Sequence, residues 1–120
     1  MGSLSPLSAA WEIADAVRTR RLSAVEITEA TLARIAALNP ALNAFVYVDA
    51  NGARMQAAAI DARIAGGEDP GLLAGVPLGV KDLDAVAGMP LTSGSRAFED
   101  RIAAEDSVSV ARLRDRKSVV

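Results

Sequence analysis

Lys81 is the residue whose placement most suggests chemistry. It closes the run Leu73-Ala74-Gly75-Val76-Pro77-Leu78-Gly79-Val80-Lys81-Asp82, in which a long cationic side chain ends a stretch that is otherwise apolar. At the end of an apolar strand an ammonium is partly desolvated. Desolvation disfavours the charged form, lowers the pKa and leaves a neutral amine able to act as a base near neutral pH. The chain contains no histidine and no cysteine, which excludes thiolate nucleophiles, disulfides, zinc sites of the usual kind and imidazole bases. The same residues also have an ordinary reading: Lys81 pairs with Asp82 or another carboxylate, or its stem carries the ammonium out to water. The local pattern alone favours that ordinary reading, because strongly perturbed lysines are uncommon.

The elements that must position Lys81 are legible along the chain. Ser5-Pro6 supplies a cap and a first-turn proline, and Ala10, Ile13, Ala14 and Val17 then repeat at helical spacing, so a short amphipathic helix should end near Arg20. Ser23-Ala24-Val25-Glu26 is a capping box that opens a second helix, with Val25, Thr28, Leu32 and Ile35 on one stripe and a stop at Asn39-Pro40. Together these place helices over about residues 6–38. Ala44 to Val48, rich in β-branched and aromatic residues, reads as a strand buried on both faces. An alanine-rich third helix covers about 50–65, weakened at Gly52 and stopped by Gly66-Gly67. The lysine strand and a long irregular loop occupy about 75–106, a length of loop that is more often functional than idle. A final helix over about 107–116 is capped by Asp106 or Ser107, with Val108, Ala111 and Leu113 inward. Alternating helix and strand define an α/β class.

Composition limits the alternatives. The chain of 120 residues is 51% hydrophobic and 23% charged, ordinary for one globular domain and unlike a disordered segment. Only 3% is aromatic and much of the apolar content is alanine, so the core should be thin. Thirteen basic and 15 acidic side chains leave a net charge of -2. The densest basic cluster, Arg112, Arg114, Arg116 and Lys117, has no interleaved aromatics, so nucleic-acid binding is not expected. Met1 to Pro6 lacks a basic leader region and there is no long apolar run, which favours a soluble cytoplasmic protein without a membrane segment.

The segment Gly75 to Asp82, followed by Val86-Ala87-Gly88-Met89-Pro90 and by Thr92-Ser93-Gly94-Ser95, closely resembles the lysine region of the amidase signature family. That family's pattern runs Gly-x-Pro-x-x-Val-Lys-Asp, then a glycine-containing loop, then Thr-x-Gly-Ser. The flanks resemble it too: Leu22 to Glu26, the Asn39-Pro40 helix end, Ala44-Phe45-Val46, and Asp106-Ser107 leading into Val110 to Leu113. The resemblance spans roughly residues 5–114.

The resemblance implies that residues 1–120 are the N-terminal portion of an α/β/α fold with a mixed sheet flanked by helices. It implies that Lys81 is the catalytic base of a Ser, cis-Ser, Lys triad that cleaves a carboxamide C–N bond. Both serines of that triad lie downstream of the lysine in family members, so Ser93 and Ser95 are assigned to the Thr-x-Gly-Ser loop and to neither catalytic role. The expectation is therefore a truncated chain, inactive alone, with unpaired strand edges and exposed apolar surface that call for an oligomer or a missing C-terminal portion. A small-molecule amide is the expected substrate, with no cofactor and no metal. Two alternatives stand beside it: a protein resembling the A subunit of an amidotransferase, and a catalytically inert remnant or interaction module.

Overall fold

The structure, a computed structural model, describes residues 5–120. Residues 1–4, part of the segment read above for a leader, lie outside the described residues. The described residues form four α-helices: α1 (Ala10–Arg18), α2 (Ala24–Leu42), α3 (Ala50–Ala65) and α4 (Val108–Asp115). A 3-10 turn, Arg96–Phe98, interrupts the long loop.

The start of α1 differs from the expectation. Ser5 to Ser8 form a closed turn in which the Ser8 N–H bonds the Ser5 carbonyl at 2.9 Å and the Leu7 N–H bonds the Ser5 hydroxyl. The Ser5 hydroxyl thus caps a turn, and the helix begins only at Ala10, where the Glu12 carboxylate accepts from the Ala9 N–H at 2.9 Å. In α2 the capping box forms as its residues dictate: Glu26 N–H to the Ser23 hydroxyl at 3.0 Å, Ser23 N–H to the Glu26 carboxylate at 2.7 Å. The Asp61 carboxylate of α3 takes the next two free N–H groups, Ala24 at 2.7 Å and Val25 at 3.1 Å. Asn39-Pro40 does not stop this helix. Pro40 lies inside its last turn, and the chain leaves the helix at Asn43, whose φ of 48° makes it a left-handed cap.

In α3, Ala53, Ala57, Ile60 and Ile64 repeat at i, i+4, i+7 and i+11 and are buried against α1 and α2. Ile13 and Val17 of α1, Ala24 and Ile27 of α2, with Ala74 and Val119, complete one core. Alanines at the contact let the backbones approach closely, so each large apolar residue that remains counts; burying one Ile or Val side chain is worth roughly 1.5–3 kcal/mol. Gly52 leaves room for the cap at the start of α3: its N–H donates to Asp49 at 2.9 Å, and a Cβ there would stand 2.0 Å from the Asp49 carboxylate. In α4 the inward residue is Val110, while Val108 and Ala111 face solvent, so the buried register falls on a different face from that expected.

Among the described residues no strand of a sheet is formed, only two isolated bridges. The first is parallel, Pro77 with Val119, supported by Leu78 N–H to the Val119 carbonyl at 2.8 Å and Val119 N–H to the Val76 carbonyl at 2.9 Å. The second is antiparallel, Pro90 with Ile102. The segment 44–48, read as a doubly buried strand, is extended but exposed throughout. Among the described residues its backbone is bonded only by a side chain: the Asn39 amide both donates to the Phe45 carbonyl and accepts from the Phe45 N–H. β-propensity alone cannot make a ladder without a neighbouring backbone.

Candidate active site

The lysine segment reaches the surface over a tightly fitted turn. Gly75 has φ of 74°, and a Cβ there would lie 3.0 Å from Val17 and 3.1 Å from Ala24, so the backbone rests directly on α1 and α2. From this anchor the chain runs along residues 116–119: Leu73 and Gly75 donate N–H groups to the carbonyls of Arg116 and Lys117 at 3.0 and 3.1 Å. Val120 is secured in turn by the side-chain amide of Gln56, which donates to its carbonyl and accepts from its N–H, both at 3.1 Å. Gln56 thus stands in for a neighbouring strand.

Lys81 follows this paired stretch. It is exposed, not desolvated by its own chain as expected, because the face beyond Val80 is open. The ordinary ion pair is also absent: among the described residues no carboxylate lies within salt-bridge distance of its ammonium. Asp82 is otherwise engaged. Its carboxylate accepts from the Thr92 N–H at 2.7 Å and from the Thr92 hydroxyl. The Thr92 hydroxyl, then the Thr92 N–H, hold the Asp82 carboxyl below its ordinary value, with partial desolvation opposing and the Gly94 and Ser93 N–H groups adding slightly.

Ser93 and Ser95 sit in the Thr92–Ser95 turn, closed by Ser95 N–H to the Thr92 carbonyl at 3.0 Å. Ser93 and Gly94 both have positive φ, 54° and 67°, the mirror-image turn class. Arg101 braces it, donating to the Leu91 carbonyl at 2.5 Å and the Ser93 hydroxyl at 2.7 Å while stacking over Phe98. The Ser93 hydroxyl is therefore committed to Arg101.

Lys81 opens onto a cavity of about 670 Å³ between α2, segment 44–48 and the lysine segment. Leu32 and Ile35 of α2, Phe45 and Tyr47 form apolar wall, and Lys81 with Asp82 form the polar side. A buried hydroxyl without a partner among the described residues, that of Thr28, lies in the same wall. Among the described residues no group of three or more acidic side chains could hold a metal ion, and no helix is long and apolar enough to cross a membrane. A free primary amine beside an open, mostly apolar cleft is suited to proton transfer with a small polar group bound there.

Lys81 is thus presented by an ordered loop at the mouth of this cleft. Residues 26–120 match the Amidase family profile, and the chain belongs to the amidase family, hydrolases that act on amide C–N bonds. It is 49% identical over 111 residues to the glutamyl-tRNA(Gln) amidotransferase A subunit of Acidothermus cellulolyticus, covering 92% of this chain and 22% of that protein. Its counterpart in Bdellovibrio bacteriovorus is 46% identical over 91% of this chain and 22% of its own length. Among solved structures, a bacterial aryl acylamidase of the amidase signature family superposes with a TM-score of 0.88 at 37% identity, over 93% of this chain and 24% of that one. The peptide amidase of Stenotrophomonas maltophilia superposes with a TM-score of 0.87 at 32% identity, over 95% and 24%. The chain therefore spans about a fifth to a quarter of the relatives it matches, and its fold is that of the corresponding part of amidase signature enzymes.

Proposed function

We propose that this chain carries the base of an amide-cleaving site, with Lys81 as the proton acceptor of a Ser, cis-Ser, Lys triad. The observation that supports it is the free Lys81 amine, without an ion-pair partner among the described residues, facing an open cleft on a loop tethered at both ends. In this reading a neutral lysine takes a proton through a bridging serine, which activates a second serine for attack on the amide carbonyl. A serine hydroxyl is a weak nucleophile until a base removes its proton, which is why an amine is needed. Ser93 and Ser95 are held in their turn and serve neither role. In this reading the two serines come from further polypeptide of the family domain, which also covers the cavity and Lys81. The substrate is a small carboxamide, with no cofactor.

A second reading is favoured by the 49% and 46% identities to amidotransferase A subunits: the amide cleaved is that of glutamine and the ammonia is passed on. Measuring ammonia release separates the cases. Residues 1–120 alone should release none above background from either glutamine or simple carboxamides. Joined to the remainder of an amidase-family domain they should release it; preference for glutamine supports the second reading, and turnover by residues 1–120 alone would refute the division of the site.

A further inference from the structure

Lys81 has no side-chain partner among the described residues to aim it, so its precision must come from the backbone on either side. Upstream, the backbone is fixed by the Leu78 to Val119 hydrogen bond of 2.8 Å. Downstream, the carboxylate of the next residue, Asp82, is bonded to Thr92 and makes no salt bridge with Lys81. The turn that it grips is itself unusual. Ser93 holds a left-handed φ of 54°, a conformation that a residue with a Cβ keeps only where its surroundings over-determine it. Here the surroundings are Asp82 on one side and Arg101 on the other. The Thr92 hydroxyl links the two layers, donating to Asp82 and accepting from the Gly94 N–H at 3.2 Å.

We infer that Asp82 and Thr92 form a clamp that positions Lys81, with the Thr92–Ser95 turn as its fixed abutment. The clamp does not touch the reacting atoms; it sets the direction in which the lysine leaves the chain. An anionic acceptor suits this role, since charge-assisted hydrogen bonds are shorter and stronger than neutral ones. The inference rests on the reading of Lys81 as the working amine, but the clamp can be tested without activity.

The test uses the 120-residue chain and three variants: Thr92→Val, which keeps shape and N–H but removes the hydroxyl, Thr92→Ser, which restores it, and Asp82→Asn. Two quantities are read, amide hydrogen exchange across residues 92–95 and the NMR shifts of the Lys81 Cε and Nζ. Thr92→Val is expected to speed exchange of the Thr92 and Gly94 amides about tenfold, the scale of one lost hydrogen bond, and to move the Lys81 signals. Asp82→Asn should do the same and Thr92→Ser should return both towards the parent. Lys81 signals that stay in place while the turn loosens would overturn the inference, leaving a local cap unconnected to the lysine. Unchanged exchange in Thr92→Val would overturn it too, since the clamp would then hold nothing. Neither outcome depends on whether Lys81 serves as a base, which activity measurements decide separately.

Discussion

The helical half of the molecule and the lysine face are built on opposite principles. Around Ile13, Val17, Ala57 and Ile60 the side chains are at most 4% exposed, and the starts of α2 and α3 are capped locally or by a neighbour. Across the cleft, Phe45 to Val48 are apolar yet 37–74% exposed, and the backbone there makes almost no bonds to its own chain. The first region can be ordered by its own packing. The second has its geometry set by a few polar tethers, namely Asn39 on Phe45, Gln56 on Val120, Asp82 on Thr92 and Arg101 on Ser93. The difference shows that the site's backbone is held by hydrogen bonds while its apolar wall is left uncovered.

The contrast breaks most readily at the core. Ile13→Ala should cost about 2–5 kcal/mol, as large-to-small core changes do, whereas Val46→Ala should stay within about 0.5 kcal/mol. Urea unfolding of the two variants measures both; equal losses would mean that segment 44–48 is packed after all. A smaller effect separates two glycines with nearly the same φ. Gly75→Ala combines strain with contacts of 3.0–3.3 Å against Val17 and Ala24, while Gly88→Ala meets nothing within 4 Å. The first should cost about 2 kcal/mol or more and the second about 1 kcal/mol, the strain alone. Matching thermal shifts would deny that Gly75 seats the lysine segment on the helices.

The smallest effect is a pH dependence confined to the lysine face. Because hydrogen bonds depress the folded pKa of Asp82, the stability it contributes is fully present above its ordinary unfolded value and is lost only as pH falls through the lowered one. Protection of the Thr92 amide should therefore persist at neutral pH and fade only below about 4, the ordinary carboxylate value. An Asp82 carboxyl resonance that titrates above that range would contradict the clamp.

Much of this was readable from residue types alone. Ser23 and Glu26 announce the start of α2, the alanine run marks α3, and the ordered Gly-x-Pro-x-x-Val-Lys-Asp pattern carries the family resemblance that the family match bears out. What was not readable depends on distant partners. Asn39-Pro40 looks like a stop, but the helix passes through Pro40 and Asn39 turns its amide to Phe45, six residues on. Ala44 to Val48 has strand residues without an adjacent backbone to pair with. The grip of Gln56 on Val120 spans 64 residues, and nothing in a helical glutamine signals it. Lys81 was expected to be desolvated because its sequence neighbours are apolar, yet burial is decided by what packs across the cleft, not by what precedes it in the chain.

The most direct test replaces Lys81 itself. In a polypeptide that joins these 120 residues to the serine-bearing remainder of an amidase-family domain, Lys81→Ala should reduce kcat/KM for carboxamide hydrolysis by several orders of magnitude, because it removes the end of the proton path. Unfolding of the 120-residue chain should be nearly unaffected by the same change, since the side chain is exposed. A fall in rate of less than about tenfold would contradict the assignment of Lys81 as the base.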